Sequence, residues 1–170
     1  MPAAVKSTYA AALVDVQAGN WSAAEHGFES LMLAYPMLPG PYVNAAIAYV
    51  HDGRNDDALA ALRKALAIDP NNVQASDELG ILLRRRGDFA GAEKAYRQAL
   101  KTDPNYPLAL YNLGVLLDVY LRRQAEALVL YERYQKTLPA PDKTVAGWIV
   151  DLQRRTTART AANESKESAF

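Results

Sequence analysis

The chain has 170 residues, half of them hydrophobic and 22 % charged, which suits one domain with a substantial core and excludes a disordered polymer. Its 19 Lys plus Arg balance 19 Asp plus Glu, so no net field gathers phosphate backbones or anionic lipid, and nucleic acid is not an expected partner. Cysteine is absent and there are 2 histidines, which excludes disulfides and cysteine nucleophiles and leaves too few imidazoles for a catalytic zinc cluster.

The predicted elements follow from a fixed step. Gly19, Gly53 and Gly87 lie 34 residues apart, and Ala24, Ala58 and Ala92, like Pro36, Pro70 and Pro104, keep the same step. A fourth copy brings in Ala127, Tyr131 and Pro139 once one extra residue is allowed. The spacing divides the chain into units 5–38, 39–72, 73–106 and 107–141, each a pair of short helices. Unit three reads most plainly. A helix over 73–86 carries Leu79, Leu82 and Leu83 on one stripe, Gly87-Asp88 breaks it, and a helix over 89–102 carries Ala92, Ala95, Tyr96 and Ala99 before Asp103-Pro104 stops it. The small residues predict close approach of the two axes, with Gly80 or Gly114 facing Ala92 or Ala127. Phe28, Leu62, Tyr96 and Tyr131, one turn after each alanine, are expected to reach the following unit. Asp-Pro-Asn steps at 69–71 and 103–105 end one unit and pre-set the turn to the next.

A stack of such pairs needs a cap with one polar side. Residues 142–155 predict it: Asp142 is the N-cap, and Val145, Trp148, Ile149 and Leu152 share one helical face. The polar stretch 156–170 is expected to be mobile or to prolong the cap briefly, with Phe170 in solvent. The apolar runs fall far short of the roughly 18 residues that span a bilayer, so a soluble chain without membrane insertion is expected.

Residues that would carry catalysis do not assemble. There is no phosphate-cradling glycine loop, nucleophile elbow or paired-histidine zinc motif, so the chain is expected not to be an enzyme and to need no cofactor or metal. His26 and His51 have no ligand partners at metal spacing. Arg84 to Arg86, Arg122-Arg123 and Arg154-Arg155 are expected near helix C-termini, where cations offset the dipole.

The pattern Leu79-Gly80, Gly87-Asp88-Phe89, Ala92, Tyr96, Ala99-Leu100 and Asp103-Pro104-Asn105 resembles the tetratricopeptide repeat. The resemblance implies an all-α, right-handed superhelical solenoid of antiparallel helix pairs, about nine helices with the cap, acting as a non-enzymatic protein-binding adaptor. Two units depart from the pattern. Unit one has Asp15 at a large apolar position and Ala11-Ala12 for Leu-Gly, which predicts loose packing of its first helix. Unit four has Leu121-Arg122-Arg123-Gln124 for Gly-Asp-aromatic, which predicts a longer turn without glycine.

By the same resemblance a concave groove formed by the first helices holds a peptide or helix of a partner protein. Its expected lining is Lys6, Tyr9, Leu13, Val16 and Gln17 in unit one and Gly40, Val43, Ile47, Val50 and His51 in unit two. Unit three adds Gln74, Asp77, Ile81, Arg84 and Arg85, and unit four adds Leu108, Tyr111, Val115, Asp118 and Val119. Leu13, Ile47, Ile81 and Val115 make an apolar ribbon edged by Tyr9 and Tyr111 and interrupted by Asp77, Arg84, Arg85 and Asp118. The basic clamp by which some co-chaperones hold an acidic C-terminus is not expected, because its places hold Tyr9, Leu13, Asn44, Gln74 and Glu78 and only Asn44 matches. The alternative is a self-associating scaffold, a homo-oligomer whose groove packs on another copy. The closing stretch from Asp142 to Trp148, with Arg154-Arg155, is also similar to that of bacterial envelope proteins of this family, many of them lipoproteins. That implies an export signal and anchor upstream of Pro2 and favours the periplasm over the cytoplasm.

Overall fold

The computed structural model describes residues 2–167, with side chains through Thr157. The described residues form nine α-helices and no strand. They pair as α1 (Ala3–Ala18) with α2 (Trp21–Ala34), α3 (Pro39–His51) with α4 (Asn55–Ile68), α5 (Val73–Arg85) with α6 (Phe89–Thr102), and α7 (Pro107–Val115) with α8 (Gln124–Thr137). The last helix, α9 (Lys143–Glu167), packs on α8. Each second helix also packs on the next unit's first helix, so the pairs stack as an all-α solenoid.

Local chemistry sets the breaks. Gly19, Gly53 and Gly87 close the first helices of units one to three at φ of 75°, 75° and 80°, a left-handed conformation that costs a side-chain-bearing residue about 1–2 kcal/mol. Unit four has its extra residue here. A π-helical turn, Leu116–Tyr120, absorbs it, and Arg122 takes the left-handed place at φ 57°. The Asx turns repeat as expected, Asn71 N donating to Asp69 Oδ1 (3.1 Å) and Asn105 N to Asp103 Oδ1 (3.0 Å). Asp142 caps α9 by accepting from Thr144 N (2.9 Å) and Val145 N (3.1 Å).

Three expectations are corrected. The close approaches at Gly80 and Gly114 are made by aromatic rings and not by alanines. A Cβ added at Gly80 would lie 2.6 Å from Cδ1 of Tyr96, and one at Gly114 would lie 2.6 Å from Cε1 of Tyr131. Each ring therefore fills the notch within its own unit. In unit one the notch is reversed, since Gly27 on α2 makes room for Ala12 of α1, whose Cβ would be 2.8 Å from a new Cβ. The last helix runs on to Glu167, because nothing from Gln153 onward breaks it, so Arg154 and Arg155 lie within a helix and away from its C-terminus. Phe170 and Met1 lie outside the described residues.

The core falls into two clusters. One runs from Ala12 through Phe28, Tyr49 and Leu62 to Ala75 and Leu82; the other runs from Ala92 and Tyr96 through Leu113, Leu117 and Tyr131 to Val145 and Leu152. Their boundary passes through unit three.

Candidate functional site

The first helices line up as α1, α3, α5 and α7, and their shared face differs from joint to joint. Between α1 and α3, Tyr9 lies against Gly40, where a Cβ would be 2.9 Å from the tyrosine hydroxyl. That hydroxyl accepts a 2.6 Å hydrogen bond from Asn44 Nδ2, and the ring meets Phe28 edge-on at 5.7 Å. Between α5 and α7, Asn112 Nδ2 donates to both carboxylate oxygens of Asp77, at 3.1 and 3.2 Å. The two contacts are equivalent, the sixth residue of one unit reaching the fifth of the unit before it. Beyond α7, Tyr111 packs against Tyr134 and Trp148 with ring centroids 5.5 and 6.0 Å apart.

The joint between α3 and α5 carries no such tie. Its fifth and sixth positions are Val43 and Glu78, and valine offers no polar atom. The ion pairs between second helices alternate in the same way. Arg54 pairs with Glu25 and Asp57 at the first joint, and Arg123 pairs with Glu93 and Glu126, each at 2.7 Å, at the third. At the middle joint Asp88 and Leu59 stand where the other joints have arginine and glutamate, and an exposed Arg86–Asp56 pair at 2.6 Å takes their place.

A cleft opens at this middle joint. It has a volume of about 290 Å³ and is lined by Ala46, Ile47, Val50, His51 and Leu62 on one side and Glu78, Ile81, Leu82 and Arg85 on the other. Ile47, Val50 and Ile81 are half-buried, whereas His51 and Arg85 are exposed at the rim. The His51 ring stacks on Trp21, centroids 3.5 Å apart and planes within 12°, so unit one buttresses the rim. Burial pushes the Glu78 carboxyl up to about 7, helped by the Asp77 charge and opposed by Arg85. Burial likewise raises Asp77 to about 6, against the hydrogen bond from Asn112 and the charge of Arg84.

Of the residues expected along the groove, the structure brings Ile47, Val50, His51, Ile81 and Arg85 together in this cleft. Val43 and Asp77 are each 1 % exposed, so a partner cannot reach them; Val43 belongs to the first core cluster and Asp77 to the Asn112 tie. Tyr9, Leu13 and Val16 are half-buried against the first cluster, and Tyr111 and Val115 against the second. Arg84 lies over the Tyr120 ring, its guanidinium carbon 5.8 Å from the centroid. Asp118 sits in the π-helical turn, its carboxyl raised by burial against the pull of Arg155. Leu108 and Val119 are exposed. Glu78 was not expected in the lining; its signal was an acid at a position where units two and four have asparagine. Among the described residues no group of three His, Asp or Glu is placed to hold a metal ion, and no helix is long and apolar enough to cross a membrane.

Two family models match the chain, one described as a tetratricopeptide repeat over residues 39–72 and one as a TPR repeat over 80–117. The first covers the α3–α4 pair on one side of the cleft, and the second runs from within α5 on the other side through α6 and α7. The chain is a tetratricopeptide-repeat protein. Solved structures agree on the fold of this tetratricopeptide chain. PilF of Pseudomonas aeruginosa superimposes with a TM-score of 0.81 at 21 % identity, covering 95 % of this chain and 72 % of that one. TTC0263 of Thermus thermophilus, a thermophilic TPR protein, gives 0.75 at 21 % identity, over 88 % of this chain and 81 % of that one. YrrB, a TPR protein described as having an unusual peptide-binding site, gives 0.65 at 23 % identity, over 84 % and 72 %. No curated protein matches the sequence. The tetratricopeptide fold marks the chain as a protein-interaction module.

Proposed function

We propose that this tetratricopeptide protein is a non-enzymatic adaptor whose groove holds a segment of another protein, seated on Ile47, Val50 and Ile81 at the joint between units two and three. The observation that carries the reading is the open cleft there, beside joints that are each closed by a side-chain tie or by packed aromatic rings. Half-buried isoleucines at the mouth of a cleft are the kind of contact that gains most when a partner excludes water from them. The description of YrrB as carrying a peptide-binding site supports a binding role for a module of this fold.

The test is capture from lysate of the protein's own cells. The native chain retains a partner, Ile47→Arg and Ile81→Arg lose it, and both variants keep the native far-UV circular dichroism and melting temperature. Undiminished capture by both variants refutes the groove. A self-associating scaffold is the second reading, and the exposed Val14, Leu33 and Met37 of unit one favour it. It predicts that the chain retains only itself and that its mass by light scattering rises with concentration. For the setting we propose an assembly of the bacterial envelope, on the likeness of the closing helix from Asp142 to Trp148; recovery of the native protein in the cytosolic fraction alone refutes it.

A further inference from the structure

Glu78 has no structural employment. At the same repeat position Asn44 and Asn112 each donate a hydrogen bond to the preceding first helix. Glu78, whose equivalent acceptor position in the preceding unit holds Val43, makes no hydrogen bond or ion pair among the described residues; the charges that act on it are Asp77 and Arg85 along its own helix. A recessed carboxylate without a partner lowers fold stability, so internal packing gives no reason for it. It does line the cleft, opposite Ile47 and beside Ile81. At about 290 Å³ the cleft is smaller than drug-sized pockets and has room for a single side chain.

Resting on the groove reading above, we propose that the middle-joint cleft is a subsite for a lysine or arginine side chain of the bound segment, with its aliphatic stem between Ile47 and Ile81 and its cationic head on Glu78. A long stem with a charged tip suits a cleft whose walls are apolar and whose charge is recessed. An acidic side chain would have to choose Arg85, which is exposed, and a pair formed in water contributes little. Pairing the recessed carboxylate contributes more, because water screens it less.

The probe is a phage-displayed library of random twelve-residue peptides, selected on the full chain and counter-screened on Ile47→Arg. Peptides whose capture depends on Ile47 are expected to share one lysine or arginine. Replacing that residue by norleucine is expected to weaken binding at least tenfold, and so is Glu78→Gln. The two changes together should weaken it no further than either alone, since both remove one contact. Glu78→Gln is nearly isosteric, and its melting temperature and circular dichroism verify the fold. Ile47-dependent peptides without a basic residue, or with an acidic one that responds to Arg85→Gln, overturn the subsite and leave the groove standing. A library that yields no Ile47-dependent peptide overturns both.

Discussion

The same substitution, glycine to alanine, is expected to act with opposite signs at two helical sites, and one distance decides between them. At Gly80 a new Cβ would lie 2.6 Å from Cδ1 and 2.8 Å from Cζ of Tyr96, a ring with no exposed surface and therefore no room to withdraw. Overpacking of this kind costs about 1–3 kcal/mol. The better helix propensity of alanine returns about 1 kcal/mol, and a clash this deep puts the packing cost at the upper end, so Gly80→Ala should lose about 2 kcal/mol net. Gly147 in α9 is exposed and has nothing within 4 Å of an added Cβ, so only the propensity operates there. Gly147→Ala should therefore gain about 0.5–1 kcal/mol. Urea unfolding followed by circular dichroism measures both. With a slope of about 1–3 kcal/mol per molar, the first change lowers the midpoint by about 1 M and the second raises it by a few tenths. Combining Gly80→Ala with Tyr96→Leu should cost less than the sum of the two singles, because the smaller side chain leaves space for the methyl group. A neutral Gly80→Ala, or a purely additive double variant, would refute the notch between Gly80 and Tyr96.

Two further outcomes are expected. Glu78 titrates near 7 in the folded chain against an ordinary value of 4.5, under the influence of Asp77 and Arg85 on its own helix, with His51 across the cleft and Tyr96 and Tyr106 on the other side. At this site the folded state then binds more protons than the unfolded one, so the Glu78 contribution to stability is most favourable below pH 4.5 and is lost as pH rises toward 7. Glu78→Gln removes that loss and should stabilise the chain at pH 8 by roughly 3 kcal/mol, with the difference vanishing near pH 4; equal urea midpoints at pH 8 would contradict it. Arg122→Gly relieves a left-handed residue at φ 57° and should raise the urea midpoint by up to about 1 kcal/mol in stability, while a lower midpoint would show that the arginine contributes a contact worth more than the strain.

The repeat was legible because glycine, alanine and proline act locally: a left-handed turn, a close approach and a missing donor each leave a residue type at a fixed place. The extra residue in unit four was visible as well, although the π-helical turn that absorbs it was not, since a helix can hide an insertion in its hydrogen-bond register. The groove was harder. Assigning the fifth residue of every unit to the concave face made Val43 and Asp77 surface residues, yet both are buried, Val43 in the first core cluster and Asp77 under the Asn112 amide. The signal lay in a longer period than the single repeat. Asn44 and Asn112 stand two repeat lengths apart, and so do Glu25 and Glu93, which marks units one and three as alike and units two and four as alike. At the sixth position unit one has Ala10 where unit three has the charged Glu78, and that acid lies at the cleft.

The alternation also bears on how the stack comes apart. In a solenoid each unit touches only its neighbours, so stability is the sum of unit terms and joint terms, and opening begins where a joint term is smallest. The middle joint lacks both the asparagine tie and the arginine–glutamate pairs, and it is bridged instead by the first core cluster, which reaches Ala75 and Leu82 of α5 before the second begins at Ala92. Units two and three are thus held together chiefly by apolar packing on α5, with few polar ties to add to it. A segment seated across the cleft as proposed touches units two and three at once, so its occupancy is expected to raise the cooperativity of unfolding and bind that joint more tightly.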